Sequence, residues 1–576
     1  MNHTSPIVVL VNQGALTIKA DASVLLQFGG MQSFGDIADL ELNIAQINPY
    51  ATYEPDYWLL DGNYKLAPAS GAHVGYMSTV MSGTNTNFTA GPEVRFYFTV
   101  NHSTTGLKLY FSEFSGDWTD SITVTFRDAA ESVIRSDTYT PSAATFETNQ
   151  AVSNFRRIDL IFNSTNKAQR YARLTGIDFD DLTIFSGSDV KEARLIEQID
   201  PLAIELPINT LDLKLFSAAG DFSIVNPAGI YANLQYKEPL DVYENINNEI
   251  VYVGRFYLDT WESLSENLAE FHASDAIGLL EKIPYLGGWL VSGIDTAGDV
   301  IGDMLTAAGI AYEIDASLTD EIIDEWLPVT NVRDALQQFC FAIGGYATCA
   351  RSDVVQILPF ELASDLVAYD YTITATQKGL GQPVNLRPLV TGVELLLHKL
   401  VSAPYTEDEL TAGKIYEAAL SAGNHRIFWD EPRQDYTIAG ATIVSEANVN
   451  FLDINVATPG GVTISAIFTE KDQTRLIEQH NGSLPAGTVE NVIVINDALT
   501  ATNNNGATVL QRIYDYYQQR YLQKTKLFAH PITVGNSVLI ATQSSRQIAG
   551  IVEKISIDLA GGFVSDVEII GVVVPL

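Results

Sequence analysis

The stretch Val94-Arg-Phe-Tyr-Phe-Thr-Val100 places an apolar side chain at every second position, the pattern of a β-strand with one buried face. Residues 107–111, 122–126 and 158–162 repeat this alternation. Gly, Asn, Ser and Asp separate these stretches, and no helical stretch of ten residues interrupts them. The pattern predicts an antiparallel jelly-roll β-sandwich over residues 41–189, preceded by N-terminal strands in residues 1–40.

Strand patterns continue on the C-terminal side of this region. Residues 190–264 form a second strand-rich segment, which includes Leu211-Asp-Leu-Lys-Leu215, and strands return over residues 361–576. The predicted fold class is therefore mainly β, or α+β overall, with a small α/β domain between the two strand-rich segments.

Helical periodicity defines that small α/β domain, predicted over residues 265–360. One helix is predicted before Gly309, because apolar residues recur at i, i+1, i+4, i+5 and i+8 from Val300. A second helix is predicted after Asn331, which is a good N-cap, with Asp334 in the first turn. A further amphipathic helix is predicted within residues 509–521, lying across a sheet of the C-terminal segment.

The composition excludes several classes of partner. The chain has 576 residues, 33 Lys and Arg against 70 Asp and Glu, and a formal charge of −37, with only 18% charged residues. No block of five like charges occurs, so the acidic excess is spread over folded surfaces. Such surfaces repel phosphate backbones and anionic bilayers, which argues against sequence-specific nucleic-acid binding.

Targeting and redox motifs are lacking. The apolar stretch 6–11 is too short for a signal peptide, and no run approaches the ~18 apolar residues of a membrane span. We therefore expect synthesis in the cytoplasm and no membrane insertion. Cys340 and Cys349 are predicted to be buried apolar residues, because their spacing fits neither a redox pair nor a zinc knuckle.

A search for catalytic chemistry finds no motif. The eight histidines lie more than twenty residues apart, which excludes HExxH-type zinc signatures, although ligands can still converge in three dimensions. A GxSxG elbow and a GxxxxGK phosphate loop are both absent. We predict no enzymatic activity and no cofactor.

Asp178, Asp180 and Asp181 form the one acidic cluster that suggests a metal. Strand alternation puts Asp178 and Asp180 on one face, where carboxylates can ligate calcium. The two readings of this cluster are a solvated face at the end of the sandwich and a structural calcium site.

Three aromatic residues beside turns suggest a carbohydrate contact. Tyr57 and Trp58 precede the turn at Asp61-Gly62, and Trp118 follows Ser115-Gly116-Asp117. Rings at the rim of a sandwich can stack on sugars. The alternative is that all three rings pack within the sandwich.

Several longer strings resemble a known family. In the N-terminal half these are Tyr53-Glu-Pro-Asp-Tyr-Trp-Leu-Leu-Asp-Gly62, Met81-Ser-Gly83, Gly106-Leu-Lys-Leu-Tyr-Phe111, Arg170-Tyr-Ala-Arg-Leu174, Leu206-Pro-Ile-Asn-Thr-Leu211 and Val253-Gly-Arg-Phe-Tyr-Leu258. Further along they are Asn331-Val-Arg-Asp-Ala-Leu-Gln-Gln338, Phe428-Trp-Asp-Glu-Pro432, Val534-Gly-Asn-Ser-Val538 and Asp558-Leu-Ala-Gly-Gly-Phe563. Their order over about nine tenths of the chain resembles that in tail-tip and baseplate hub proteins of bacteriophages and prophage-like injection particles.

The resemblance implies a fold and a place in a particle. In that family, barrel-like β domains of three subunits form a ring that continues the tail tube. Here it implies hub β domains at 190–264 and 361–576, with residues 1–40 belonging to the hub or the sandwich. The sandwich at 41–189 would be a carbohydrate-binding-like insertion. Implied partners are two further copies of the chain in a homotrimer, the tail tube, other baseplate or tail-tip proteins and a host surface glycan, and the implied location is the virion.

Three functions are therefore compared. The first is a structural hub that joins the tube to the tip and forms part of the DNA exit channel, for which an acidic lining would prevent DNA from adhering. The second is an adsorption protein that binds a host cell-surface carbohydrate. The third is a wall-degrading enzyme. It is the least favoured of the three, because the chain ends at Leu576 without the hydrolase extension that family members commonly carry.

Overall fold

A computed structural model gives the fold. It describes residues 3–10, 23–25, 32–33, 52–57, 76–104, 106–111, 116–148, 150–179, 183–185, 187–218, 220, 222, 234, 236–246, 249–290, 293–379, 384–402, 413–445, 448–468, 470–472, 474–482, 484, 487–528, 531–542, 546–561 and 564–575. The structure is 53% strand and 10% helix, which confirms the predicted mainly-β fold class.

The N-terminal third contains short and long strands in several sheets. These are β1 (His3–Leu10), β2 (Ser23–Leu25), β3 (Gln32–Ser33), β4 (Tyr76–Met81), β5 (Glu93–Thr104), β6 (Leu107–Tyr110), β7 (Thr119–Arg127), β8 (Val133–Tyr139), β9 (Thr145–Glu147), β10 (Val152–Thr165), β11 (Tyr171–Leu174), β12 (Gly176–Phe179), β13 (Thr183–Phe185) and β14 (Val190–Gln198).

The middle of the chain contains four more strands and then three helices with short strands between them. The strands before the helices are β15 (Thr210–Phe216), β16 (Pro239–Ile246), β17 (Glu249–Ser265) and β18 (Leu268–Ser274). The helical part consists of α1 (Ala276–Leu280), β19 (Pro284–Tyr285), β20 (Gly288–Leu290), α2 (Ala297–Ala307), β21 (Tyr312–Ile314), β22 (Glu325–Leu327), β23 (Thr330–Asn331), α3 (Val332–Ile343), β24 (Gly345–Thr348) and β25 (Val355–Pro359).

The C-terminal part is again dominated by strands. It consists of β26 (Tyr371–Ile373), β27 (Val384–Leu386), β28 (Gly392–Leu397), β29 (Leu400–Ser402), β30 (Lys414–Leu420), β31 (Gly423–Phe428), β32 (Arg433–Ala439), β33 (Thr442–Ile443), β34 (Phe451–Val456), β35 (Gly460–Phe468), β36 (Glu470–Asp472), β37 (Arg475–His480), β38 (Val492–Ile495), α4 (Gly506–Gln518), β39 (Tyr521–Phe528), β40 (Ser537–Ala541), β41 (Arg546–Asp558) and β42 (Val564–Pro575).

One sheet collects strands from both halves of the chain, and we call it the frame. Among the described residues its path is β13-β1-β16-β17-β18-β15-β14-β41-β42-β39-β27, with β40 beside β41 and β26 beside β40. Its seam is the antiparallel pair β14 and β41, where Arg194 lies opposite Asp558. Strand β1 lies beside β14, so the N-terminal part of the frame curls around a core to which Val8, Leu213 and Phe271 contribute.

In chain order, a β-sandwich is inserted between β1 and β13, which are neighbouring strands of the frame. A five-stranded sheet, β2-β5-β10-β7-β8, faces two three-stranded sheets, β11-β4-β3 and β12-β6-β9. Both layers bury aromatic residues in one core, because inward-facing positions alternate along each strand. Phe155 lies in this core with ring-centroid distances of 5.3 Å to both Phe98 and Phe126.

The helices belong to a unit that extends beyond residues 265–360. Its core joins α1, α2 and α3 to α4 and to the sheet β37-β28-β38. Helix α3 begins as its sequence predicts, since the Asn331 side chain accepts a hydrogen bond from the Asp334 amide at 2.8 Å. Helix α4 packs across β28 and β37, so this α/β unit is assembled from two distant parts of the chain.

A small module of residues 413–468 has its own core of Leu452, Ile454, Val456, Val462 and Ile464. Asn450 attaches this module to the α/β unit. Its Oδ1 accepts from Trp326 Nε1 at 2.7 Å, and its Nδ2 donates to the carbonyl oxygens of Leu286 and Leu327, both at 3.0 Å. Gly287 (φ 65°) is required here, because a Cβ would overlap the Leu327 carbonyl oxygen.

Replacing Asn450 by alanine is expected to loosen this attachment. The change removes three hydrogen bonds, one of them to the buried Leu327 carbonyl and two to partly buried groups, which costs about 1–3 kcal/mol. Hydrogen exchange should rise across residues 448–456 and at Leu327. The matched control is Asn455→Ala, whose amide bonds to Asn424 within the module at 2.7 Å. Equal exchange in both variants would show that Asn450 does not hold the module in place.

Candidate functional site

Buried ion pairs at the rim of the sandwich hold the segment 52–57 in place. Glu54 is fully buried and pairs with the guanidinium of Arg173 on β11. The same carboxylate accepts hydrogen bonds from the Tyr171 amide at 3.0 Å and from the Thr52 hydroxyl at 2.8 Å. The segment is therefore attached to β11 by charge-assisted bonds.

A second arginine joins two segments of the rim. Arg170, 3% exposed, donates from Nη2 to Asp56 at 2.8 Å and from Nε to Asp117 at 3.1 Å. Lys167 Nζ lies 2.7 Å from the other oxygen of Asp117. Asp56 has a φ of 72°, a left-handed conformation that Asp adopts more readily than most residues. One guanidinium thus brings together the residues that precede Tyr57 and Trp118.

The predicted sugar-binding residues are placed as follows. Tyr57 and Trp118 are both partly buried, and Trp118 packs against the sandwich core while its amide donates to Asn166 Oδ1 at 3.0 Å. Trp58 lies outside the described residues. The neighbouring Tyr53 is 80% exposed. The sugar contact stays a prediction. The structure adds that Tyr57 and Trp118 each come directly after an aspartate in the sequence, and that both aspartates bind Arg170.

The sequence reasoning missed the arginines that organise this rim. A usable signal was present, because Arg170 and Arg173 fall within four residues of a chain that is short of basic side chains. In such a chain, two neighbouring arginines on a strand with buried positions predict internal carboxylate partners.

The acidic cluster on β12 is only partly described. Asp178 is 1% exposed and lies opposite Lys108 in the β12–β6 ladder, which contradicts the solvated-face reading for this residue. Asp180 and Asp181 lie outside the described residues, and calcium binding stays a prediction.

Buried charges also join the α/β unit to the frame. Arg351 follows β24, and its Nε lies 3.2 Å from Glu197 of β14 while its Nη1 lies 3.3 Å from Glu244 of β16. Burial raises the pKa of Glu197, and Arg351 opposes that change. Such pairs are costly to break because each charge would be left without compensation. The ion pairs of Arg351 therefore connect the α/β unit to the frame.

A carboxyl group at the seam of the frame is expected to make stability depend on pH. Burial raises the pKa of Glu553 on β41 to about 8, and Tyr516 of α4 donates to its Oε1 at 2.9 Å. A carboxyl whose pKa is higher in the folded state binds its proton more tightly there than in the unfolded chain. Its contribution to stability therefore falls as pH rises from its ordinary pKa of 4.5 to about 8.

Glu553→Gln should remove this part of the pH dependence. Between pH 5 and 9 the wild-type chain should lose on the order of 2 to 4 kcal/mol more stability than the variant. Thermal melts of both proteins across this range test the difference. Glu192→Gln is the control, because Glu192 pairs with Lys214 at the surface of the frame. Parallel pH profiles for wild type and Glu553→Gln would contradict the assignment.

A groove of about 900 Å³ lies between α4 and residues 360–368. Glu361, Asp365 and Asp515 line it, together with the single cation Arg512. Three carboxylates against one guanidinium disfavour phosphate or another anion as a ligand. Burial lowers the pKa of Arg512 to about 10, and its Nη2 bonds to the Phe341 carbonyl oxygen at 2.5 Å, so this side chain also serves packing.

Comparison with known proteins gives structural neighbours at low similarity. No protein-family model and no curated protein sequence matches this chain. Among solved structures, a tail protein from Neisseria meningitidis MC58 has 8% identity and a TM-score of 0.39, covering 68% of this chain and 93% of that one. The 43 kDa tail protein of prophage MuSo2 from Shewanella oneidensis has 10% identity and a TM-score of 0.36, covering 67% and 95% respectively.

Prophage tail protein gp18 from Listeria monocytogenes EGD-e is a third neighbour, with 10% identity, a TM-score of 0.36 and coverage of 68% of this chain and 91% of that one. All three neighbours are described as tail proteins, and two of them come from prophages. At these scores the likenesses assign neither a family nor a function to this chain. Among the described helices, none has the length and apolarity needed to cross a bilayer.

Proposed function

We propose that this protein is a structural component of a phage tail or phage-derived particle, the hub that extends the tail tube and joins it to the tip. Three copies would form a ring whose lumen is part of the DNA exit channel. The order of the sequence strings that resemble tail hub proteins motivates the proposal. The structural observation that supports the proposal is the frame, a single sheet that contains strands from both halves of the chain.

A continuous sheet of this kind suits a load-bearing part. Separating the two halves of the chain requires breaking the β14–β41 ladder, in which five residue pairs are in register from Arg194 to Gln198. The buried ion pairs of Arg351 add a second connection between the frame and the α/β unit. The sandwich and the 413–468 module are insertions, free to vary without interrupting the frame.

The charge of the chain supports a role around DNA without adhesion to it. Three copies bring −111, three times −37, to the ring. An acidic lumen would repel a passing polyanion, which keeps the exit path open. A reconstruction of the assembled tip should find these carboxylates on the inner wall, and a neutral or basic lumen would remove this part of the proposal.

Copy number tests the hub assignment directly. Electron microscopy or mass measurement of purified particles should find about three copies at the end of the tail tube. Six or more copies, or a particle that lacks the protein, would contradict the hub.

The second candidate function is attachment to a host glycan through the sandwich. The geometry that favours it is the shared Arg170, which ties Asp56 and Asp117 and so places Tyr57 and Trp118 in one region of the rim. A glycan array with the full chain tests this function, with Tyr57→Ala as the variant and Tyr53→Ala as the matched control. Signals that are absent, or that survive both substitutions equally, would rule out this surface.

The proposal assigns no catalytic activity to the chain. The buried charges at the rim of the sandwich are engaged in ion pairs, those of Arg173 with Glu54 and of Arg170 with Asp117. Zymography on host cell walls should therefore show no clearing. A cleared zone that co-purifies with the protein would establish an enzyme instead.

A further inference from the structure

Two carboxylates face each other on the sheet that α4 covers from the other side. Glu394 of β28 lies directly opposite Glu478 of β37 in an antiparallel ladder. Like charges in this position destabilise a strand pair. In the part of the chain that the structure describes, no lysine or arginine forms an ion pair with either of them, and the one charged contact is between Glu478 and His480. The pair therefore lacks a compensating full positive charge.

His480, an exposed residue of β37, lies next to this carboxylate pair. Its Nε2 is 3.3 Å from Glu478 Oε2. The imidazole covers Gly392, its partner in the ladder, and a Cβ at residue 392 would overlap the ring at Nδ1. Glycine at this position thus makes room for the ring, with Nδ1 towards the backbone of residue 392 and Nε2 beside the Glu478 carboxylate.

These three side chains have the composition and spacing of a metal site. One ligand atom from each of Glu394, Glu478 and His480 lies within 4.8 Å of the others, the one such group of three among the described residues. We propose that they bind a divalent transition metal of the zinc type. Imidazole nitrogen with carboxylate oxygen is a common zinc ligand set, whereas calcium prefers six to eight oxygens.

The proposed ion would act on the α/β unit. Its double charge would neutralise Glu394 and Glu478, and its three protein ligands leave a coordination position for water. On the opposite face of β28, Val393 and Leu395 belong to the core that α4 shares. Cross-linking β28 to β37 would therefore stabilise the sheet on which α4 packs.

Zinc titration of the full chain tests the site. Calorimetry should show binding of Zn²⁺ at one equivalent, and Co²⁺ should give a visible absorption band from an ordered site. His480→Ala and Glu394→Gln should each weaken Zn²⁺ binding by about tenfold or more. Unchanged affinity in His480→Ala, or no binding by the wild type at millimolar Zn²⁺, would overturn the proposal.

Matched variants separate this site from general surface binding. His272→Ala is the control, because His272 is an exposed imidazole 2.8 Å from a single carboxylate, Asp212. It should bind Zn²⁺ like the wild type. Gly392→Ala removes no ligand but displaces the ring, so it too should weaken binding.

Two further measurements protect against misfolding and against the wrong metal. Zn²⁺ should raise the melting temperature of the wild type but not of Glu394→Gln, an isosteric change at a partly buried position, and the melting temperatures without Zn²⁺ report whether the variant is folded. An equal concentration of Ca²⁺ should leave bound Zn²⁺ in place. Displacement of Zn²⁺ by Ca²⁺ would show that the imidazole is not a ligand.

Discussion

Arg173→Ala is expected to destabilise the sandwich by about 3–5 kcal/mol, because it leaves the Glu54 carboxylate buried without its cation. Both side chains are almost completely inaccessible, so water cannot replace the lost partner. The segment 52–57 should detach from β11. Hydrogen exchange at Tyr171, whose amide bonds to Glu54, should rise first, and proteolysis at the exposed Tyr53 should follow.

Two comparisons isolate the effect of the buried charge. Arg135→Ala removes an arginine that pairs with Asp137 at the sandwich surface, and it should change neither readout. Combining Arg173→Met with Glu54→Gln should restore part of the lost stability, because no uncompensated charge remains and the side-chain amide oxygen still accepts from the Tyr171 amide. If Arg173→Ala behaves like Arg135→Ala, the ion pair does not hold the rim.

Phe155→Ala should have an effect of similar size through a different mechanism. Phe155 is fully buried and lies against Phe98, Phe126 and His102, so its removal leaves a cavity between both sheets. Truncation of a buried phenylalanine costs about 3–5 kcal/mol. Exchange across 152–165 should increase while exchange in the frame stays unchanged, since the sandwich has its own core.

Phe428→Ala is the control for this cavity, because Phe428 is half exposed on β31. Its loss should leave the sandwich unaffected. A uniform rise in exchange through sandwich and frame in Phe155→Ala would show that the two unfold together, in contrast to the separate cores.

Local elements could be predicted from the sequence because their signals are local. The alternation at Val94 lies within β5, and the Asn331 N-cap with Asp334 in the first turn fixed the start of α3. The predicted helix before Gly309 is α2, which begins at Ala297, before the apolar pattern that starts at Val300, because the Thr296 hydroxyl caps it by accepting from the Asp299 amide. Periodicity identifies a strand or a helix well when one face is buried.

Strand partners could not be predicted from the sequence. Alternating apolar residues show that one face of a strand is buried, but they do not identify the element that covers it. The β14–β41 seam joins segments whose residues are up to 365 positions apart. The α/β unit likewise recruits α4 and β28 from beyond its predicted end. The candidate metal site shows the same limit. His480 lies near Glu394 only because of the strand register between β28 and β37, and the sequence spacing between histidines does not reveal this proximity.

The seam also imposes an order on folding during synthesis. Strand β14 leaves the ribosome long before β41, and at about 5–20 residues per second the delay is roughly 20 to 70 s. Throughout that interval one edge of β14 has no partner strand, and an unpaired edge is a site of aggregation. The nascent chain therefore passes through a long-lived intermediate in which the sandwich can already be complete. Chaperone demand should be greatest in this window, and truncated chains that stop before β41 should accumulate as insoluble protein.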